Sequence, residues 1–260
     1  MPTISTSRGD IWYRDYRKAE TTRPPVLFVH GAGAMHLDWP VQLRRMPTAN
    51  ALALDLPGHG NSPGTGRDSA KDYADDVLAL LDALDVPQAI IAGHSMGGAI
   101  AQTLALEASE RVLGLILMAT GAVLKVNEVI FTSIQDNVEA AATMIINWEW
   151  SKEVNQELKD IGRERLLSMD PETLYNDFAA CDKFNVQGRL QDIQVPTLVI
   201  GGTFDKMTPA SLSDELEQKI PDAEQVMFTG AGHMVMLEKP DAIARVVQDW
   251  LTRRFQGDTK

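Results

Sequence analysis

Three features of the amino-acid sequence predict an α/β fold built on a doubly wound, mostly parallel eight-stranded sheet: eight short β-type runs, helical stripes between the later ones, and one long interval without strands. That interval predicts a helical cap inserted into the sheet domain. The chain's 260 residues suffice for one large core or for a domain carrying one insertion. The expected organisation is a first core segment over 1–121, a cap over 122–188 and a second core segment over 189–260.

The first two runs, TISTS and IWYRDY, flank Ser7-Arg8-Gly9-Asp10 and mix polar with apolar residues, which predicts an antiparallel hairpin. The later runs are VLFVH (26–30), ALALD (51–55), AIIAG (89–93), LILMA (115–119), TLVIG (197–201) and EQVMF (224–228). They are more continuously apolar, as strands covered by helices on both faces should be. Over 68–84, Tyr73, Val77, Leu80, Leu81 and Leu84 share one helical face, while Asp72, Asp75, Asp76 and Asp82 occupy much of the rest. After Pro240 at a helix start, Ile243, Val246, Val247, Trp250 and Leu251 form a similar stripe. Between 122 and 188 only helix-like material occurs, punctuated by Pro171 and Gly188, and the final QGDTK reads as a disordered tail.

Hydrophobic residues make up 44% of the chain, yet no run approaches the roughly 18 apolar residues of a membrane span. The N-terminal residues lack a basic-then-apolar pattern, and the lone Cys181 cannot form an internal disulfide, so a cytoplasmic location is expected. A formal net charge of −12 disfavours nucleic acid, whose phosphates are normally met by concentrated Lys and Arg. The expected partner is a small-molecule substrate, with neither nucleic acid nor membrane involved; oligomeric state is not legible.

The segment carrying the chemistry is IIAGHSMGGAIAQTLAL, residues 90–106, where an apolar strand passes through Gly93-His94-Ser95-Met96-Gly97 into an alanine-rich helix. G-x-S-x-G between a strand and a helix predicts a sharp turn that exposes Ser95 as a nucleophile. A serine hydroxyl needs a base, and the base needs a group to orient it. Asp205 follows TLVIG, and His233 follows EQVMF within the small-residue loop Thr229-Gly230-Ala231-Gly232. Because functional groups of a parallel sheet collect at the strands' carboxyl ends, Ser95, Asp205 and His233 can converge despite their separation in sequence.

Five ordered segments, HGAGAMHLDW, LDLPGHGNS, GHSMGG, PTLVIGGTFDKMTP and GAGHMVMLEKP, strongly resemble the α/β-hydrolase superfamily, as does the order Ser, Asp, His. The resemblance covers about 25–120 and 195–255 and implies a capped, serine-nucleophile, esterase-like hydrolase fold. It also implies that His30-Gly31-Ala32-Gly33 is an oxyanion-hole loop, with the backbone N–H groups of Ala32 and Met96 holding the oxyanion. Asp55 is a rival acid because it too ends a strand, but its match to the turn DLPGHGNS favours a structural role.

No cofactor or metal is expected. His30, His36, His59, His94 and His233 lack H-x-x-x-H spacing, and Gly58-His59-Gly60 and Gly64-Thr65-Gly66 continue into neither a dinucleotide fingerprint nor a Walker lysine. Met144, Ile145, Ile146, Trp148 and Trp150 could line a pocket or pack the cap on the sheet. The expected reaction is cleavage of a carboxylic ester of a small, mainly uncharged substrate through an acyl-enzyme on Ser95. The same framework suits C–C bond hydrolases, enol-lactonases and cofactor-free haloperoxidases. Ring-cleavage C–C hydrolases commonly carry Trp directly after the catalytic His, where this chain has Met234. A hydrolase-like ligand receptor is the reading from another functional class.

Overall fold

The computed structural model describes residues 3–18, 23–47 and 49–255; the expected tail at 256–260 lies outside them. All eight predicted strands are present: β1 (Thr3–Thr6), β2 (Gly9–Asp15), β3 (Pro25–Val29), β4 (Asn50–Leu54), β5 (Ala89–His94), β6 (Val112–Met118), β7 (Thr197–Gly202) and β8 (Ala223–Phe228). They form one sheet in the order β1-β2-β4-β3-β5-β6-β7-β8. β1 and β2 form the antiparallel hairpin and β2 pairs antiparallel with β4. Every pairing from β4 to β8 is parallel.

The strand sequences explain their positions. β5 and β7 are buried at every residue, and successive side chains alternate between two apolar layers because strand side chains point to opposite faces. Leu27, Val29 and Ile91 enter one layer, while Val26, Phe28 and Ile90 enter the other. β8 departs from the expectation for covered strands: its six residues are half-buried, because it closes the sheet edge and has one neighbour.

Helices α1 (Val41–Arg44), α2 (Ala70–Ala83) and α3 (Met96–Glu107) intervene among the earlier strands. In α2, Ser69 accepts from the Asp72 N–H at the N-cap, and the predicted face of Tyr73, Val77, Leu80 and Leu81 is buried. Between β6 and β7 lie α4 (Glu128–Asp136), α5 (Val138–Glu149), α6 (Gln156–Ser168) and α7 (Pro171–Lys183). Their starts are encoded locally: Asn127, Asn137, Asn155 and Asp170 each accept a first-turn backbone N–H. The two ends of the insertion meet where Val123 bridges Asn185 and Val186 donates to the Ala122 carbonyl at 2.9 Å. Ile145, Trp150, Leu166, Leu174 and Phe178 of the insertion join Phe28, Trp39 and Met118 in one apolar cluster.

After β7 come α8 (Ala210–Lys219), α9 (Val235–Glu238) and α10 (Pro240–Phe255). Proline at the first position of α10 needs no backbone donor, and Ile243, Val247, Trp250 and Leu251 are buried while Val246 is half-buried. No helix among the described residues is long and apolar enough to cross a membrane.

Candidate active site

The carboxyl ends of β3, β5, β7 and β8 deliver the predicted site residues to one region. Ser95 sits between β5 and α3 at φ 51°, ψ −115°, a conformation strongly disfavoured for a residue with a side chain. It is held there by its N–H donating to the Met118 carbonyl (3.0 Å) and by Thr120 Oγ1 donating to the Ser95 carbonyl (2.8 Å). The flanking glycines are required by contact. A Cβ on Gly93 would come within 2.1 Å of the Gly97 carbonyl oxygen, and one on Gly97 within 2.1 Å of that of Val29.

His233 and Asp205 are joined directly, Nδ1 to Oδ2 at 2.8 Å, and both are buried. The other Asp205 oxygen accepts from the Met207 and Thr208 N–H groups (2.8 Å each), and Thr208 Oγ1 donates to Oδ2 at 2.7 Å. The acid is thus fixed before it orients the imidazole. The backbone of His233 is fixed too, since its N–H and that of Met234 donate to the Glu149 carbonyl at 2.7 and 3.2 Å. Glu238 Oε2 accepts from Gly232 N and Oε1 from Ser151 N (both 3.1 Å), which ties the histidine loop to the end of α5.

Burial opposes protonation of His233, but the charge and hydrogen bond of Asp205, with Glu149 and Glu238 behind them, outweigh it and raise its pKa. Burial likewise pushes Asp205 up, and His233 and Thr208 overcome it, so its pKa falls. His94 stands against the same ring with centroids 4.8 Å apart, and its Nε2–H donates to the His233 carbonyl at 3.0 Å. Burial, reinforced by His233, depresses His94 to about 3, so it is a neutral support.

Ala32, Ser95 and His233 line one cavity of about 300 Å³. Met96 is buried and begins α3, where a backbone N–H has no partner four residues back within the helix. His30 supports the Ala32 loop: its Nδ1–H donates to the Gly31 carbonyl (2.8 Å) and its Nε2 accepts from Leu56 N (3.0 Å). That pattern fixes a neutral ring, and burial holds its pKa at about 3.

Asp55 is occupied elsewhere. Its oxygens accept from the His36 N–H and Nδ1–H and from the Asn61 N–H and Nδ2–H, so it fastens the β4 turn. Cys181 also lines the cavity, with burial pushing its thiol pKa far up. Trp148 lines the cavity while Trp150 packs into the core. Among the described residues no group of three or more His, Cys, Asp or Glu side chains could hold a metal ion.

Two connections have no signature in the sequence. From α7, Asp177 accepts from the Gly33 N–H (2.8 Å), His59 Nε2–H (2.7 Å) and Tyr73 Oη–H (2.5 Å). From α6, Arg165 donates through Nε to the Gly33 carbonyl (3.1 Å) and pairs with Asp38. The inserted helices therefore hold the loop after β3 by both its donor and its acceptor.

Comparison with known proteins agrees with this architecture. A model of the alpha/beta hydrolase family matches residues 26–246. Among curated proteins, the chain is 32% identical over 235 residues to the dihydrolipoyllysine-residue acetyltransferase component of the acetoin cleaving system of Pseudomonas putida, covering 84% of this chain but spanning only 61% of that protein. It is 28% identical to the 2-hydroxymuconate semialdehyde hydrolase of Pseudomonas putida, over 87% of this chain and 86% of the relative. The crystal structure of the enol-lactonase from Burkholderia xenovorans LB400 superposes with a TM-score of 0.90 at 24% identity, covering 96% of this chain and all of that one, which establishes the shared fold. The chain belongs to the alpha/beta hydrolase family and is a hydrolase.

Proposed function

We propose that the protein is a serine hydrolase that cleaves a carboxylic ester of a small, mainly uncharged substrate through an acyl-enzyme on Ser95. The observation that carries this reading is the 2.8 Å bond that His233 Nδ1–H donates to Asp205, which leaves Nε2 of the ring for the cavity that Ser95 also lines. His233 takes the Ser95 proton as Oγ attacks the ester carbonyl, and Asp205 stabilises the imidazolium that forms. The Ala32 and Met96 amides receive the oxyanion, a contribution of roughly 10²–10³ in rate per donor in comparable sites. The imidazolium then protonates the departing alkoxide, and a water activated by the same ring releases the acid and regenerates Ser95.

The inserted segment 122–188 acts as the cap over this site. Its Leu124, Val126, Ile130, Trp148 and Phe178 give the cavity apolar walls, which favours an uncharged acyl or alcohol group of modest size. The 28% identity to a 2-hydroxymuconate semialdehyde hydrolase across nearly the whole chain keeps C–C bond cleavage on the same three residues as the second reading. Initial rates on short-chain p-nitrophenyl esters, lactones and ring-cleavage diketones separate the two. The ester reading requires repeated turnover of esters with the highest kcat/KM; preferential turnover of diketones would replace it.

A further inference from the structure

Glu149 ends α5 and lines the cavity. Its backbone carbonyl holds the His233 loop, but its side chain does something different. The residue is 6% exposed and its Oε2 is buried without a hydrogen-bond partner. Burying an unpaired carboxyl is strongly unfavourable, whereas a Leu or Met of similar length would satisfy an apolar wall. Holding His233 does not require the carboxyl either, because any residue supplies the backbone carbonyl. The cavity that Glu149 lines can supply a partner for the side chain.

The surroundings restrict that partner. Arg165 lines the same cavity and is already engaged by Asp38 and the Gly33 carbonyl, while Lys125 and Lys206 also line it. Three cationic side chains disfavour a cationic substrate group, and a substrate carboxylate would meet Glu149 as a like charge. A hydroxyl suits both forms of the carboxyl, since it donates to a carboxylate and accepts from a carboxylic acid. Both forms matter at neutral pH: burial raises the Glu149 pKa to about 7, with Arg165 and His233 opposing and Asp38 and Asp205 reinforcing the rise.

We propose that Glu149 is the specificity-determining residue of the cavity, selecting substrates that place an uncharged hydroxyl against its carboxyl. This rests on the ester-hydrolysis reading above and adds the substrate class to it: hydroxylated esters rather than plain alkyl ones.

The test compares kcat/KM for p-nitrophenyl butyrate with its 2-hydroxy and 3-hydroxy analogues, and for ethyl butyrate with 2-hydroxyethyl butyrate. Each value is divided by the rate of that ester's own alkaline hydrolysis. The wild-type protein should prefer at least one hydroxylated member by about tenfold or more, the ratio expected for a hydrogen bond to a charged or buried group. Glu149→Leu should bring that ratio close to one, and Glu149→Gln, whose amide still donates and accepts, should retain part of it. A ratio is insensitive to the fraction of folded protein, so general destabilisation does not mimic the effect. Turnover of all the esters by the wild type without such a preference, or a preference that survives Glu149→Leu, overturns the assignment while leaving the ester reading intact. Turnover of no ester, or turnover unaffected by Ser95→Ala, overturns the ester reading and this assignment with it.

Discussion

Replacing Asp177 by Leu removes the α7 acceptor that holds the Gly33 N–H of the loop after β3. Three donors lose their partner at once: the Gly33 N–H, His59 Nε2–H and Tyr73 Oη–H. His59 is the most demanding of these. Its Nδ1 faces the Pro57 carbonyl at 3.0 Å and its Nε2 faces Asp177 at 2.7 Å, an arrangement that favours the doubly protonated ring. Burial opposes that charge, and the attraction and hydrogen bond of Asp177 raise the pKa despite it. Removing one member of a buried pair costs about 3–5 kcal/mol, which at about 2–4 °C per kcal/mol lowers Tm by roughly 6–20 °C. Asp177→Asn is the milder change: the amide oxygen can serve Gly33 and His59, the Tyr73 hydroxyl can rotate to accept from the amide N–H, and the loss should be about 1–2 kcal/mol. Because Gly33 adjoins Ala32, the Leu variant should also lose about tenfold in kcat, below the 10²–10³ that removal of a whole oxyanion donor costs. Linkage supplies a second signature. A raised histidine pKa contributes stability that is complete below the unfolded value near 6.5 and is lost as pH rises through the folded pKa. This part of the alkaline decline should disappear in Asp177→Asn. Urea unfolding at pH 6 and pH 9, with kcat on the best ester, tests all of this. A Leu variant within about 1 kcal/mol of wild type and with full kcat would refute the role given to Asp177.

Asp205→Asn should reduce kcat by about 10⁴, the loss seen for the equivalent change in a serine protease triad, whereas Asp55→Asn should mainly lower the unfolding temperature; the opposite ranking on folded proteins would make Asp55 the triad acid. His233 has a pKa raised above 6.5 by Asp205 against the effect of burial, and a general base works only in its neutral form. The kcat/KM profile should therefore fall about tenfold per unit as pH decreases, with its midpoint above pH 6.5 in wild type and lower in Asp205→Asn. A wild-type midpoint below 6.5 would contradict the assigned pairing.

The convergence of the candidate residues was legible before the structure, because it follows from the strand–loop pattern. Ser95, Asp205 and His233 each follow an apolar run and lie among small or turn-forming residues, and the sheet then places them side by side. Asp55 has the same local pattern as Asp205; what separates them is that His36 and Asn61 fill its acceptor positions, contacts made by folding of the β4 turn. The roles of Asp177 and Arg165 depend on contacts with Gly33 across 144 and 132 residues, and nothing in an amphipathic helix announces such a partner. Trp148 and Trp150 show the same limit at short range. They occupy one segment, yet one lines the cavity and the other packs the core, because two residues at the end of a helix turn a side chain to the far side. Glu149 could not be distinguished from a solvent-facing helix glutamate until its burial was known.

The central claim, that Ser95 is a nucleophile activated by His233, is tested most directly by covalent trapping with a fluorophosphonate, which forms a serine Oγ–P bond and releases fluoride. Digestion with trypsin places Ser95 in the peptide 72–111, together with Ser109, and fragment ions distinguish the two. Stoichiometric labelling of Ser95 is expected, in step with loss of turnover, absent in Ser95→Ala and greatly slowed in His233→Ala. Labelling at another residue, or full turnover by protein trapped at Ser95, would contradict the mechanism.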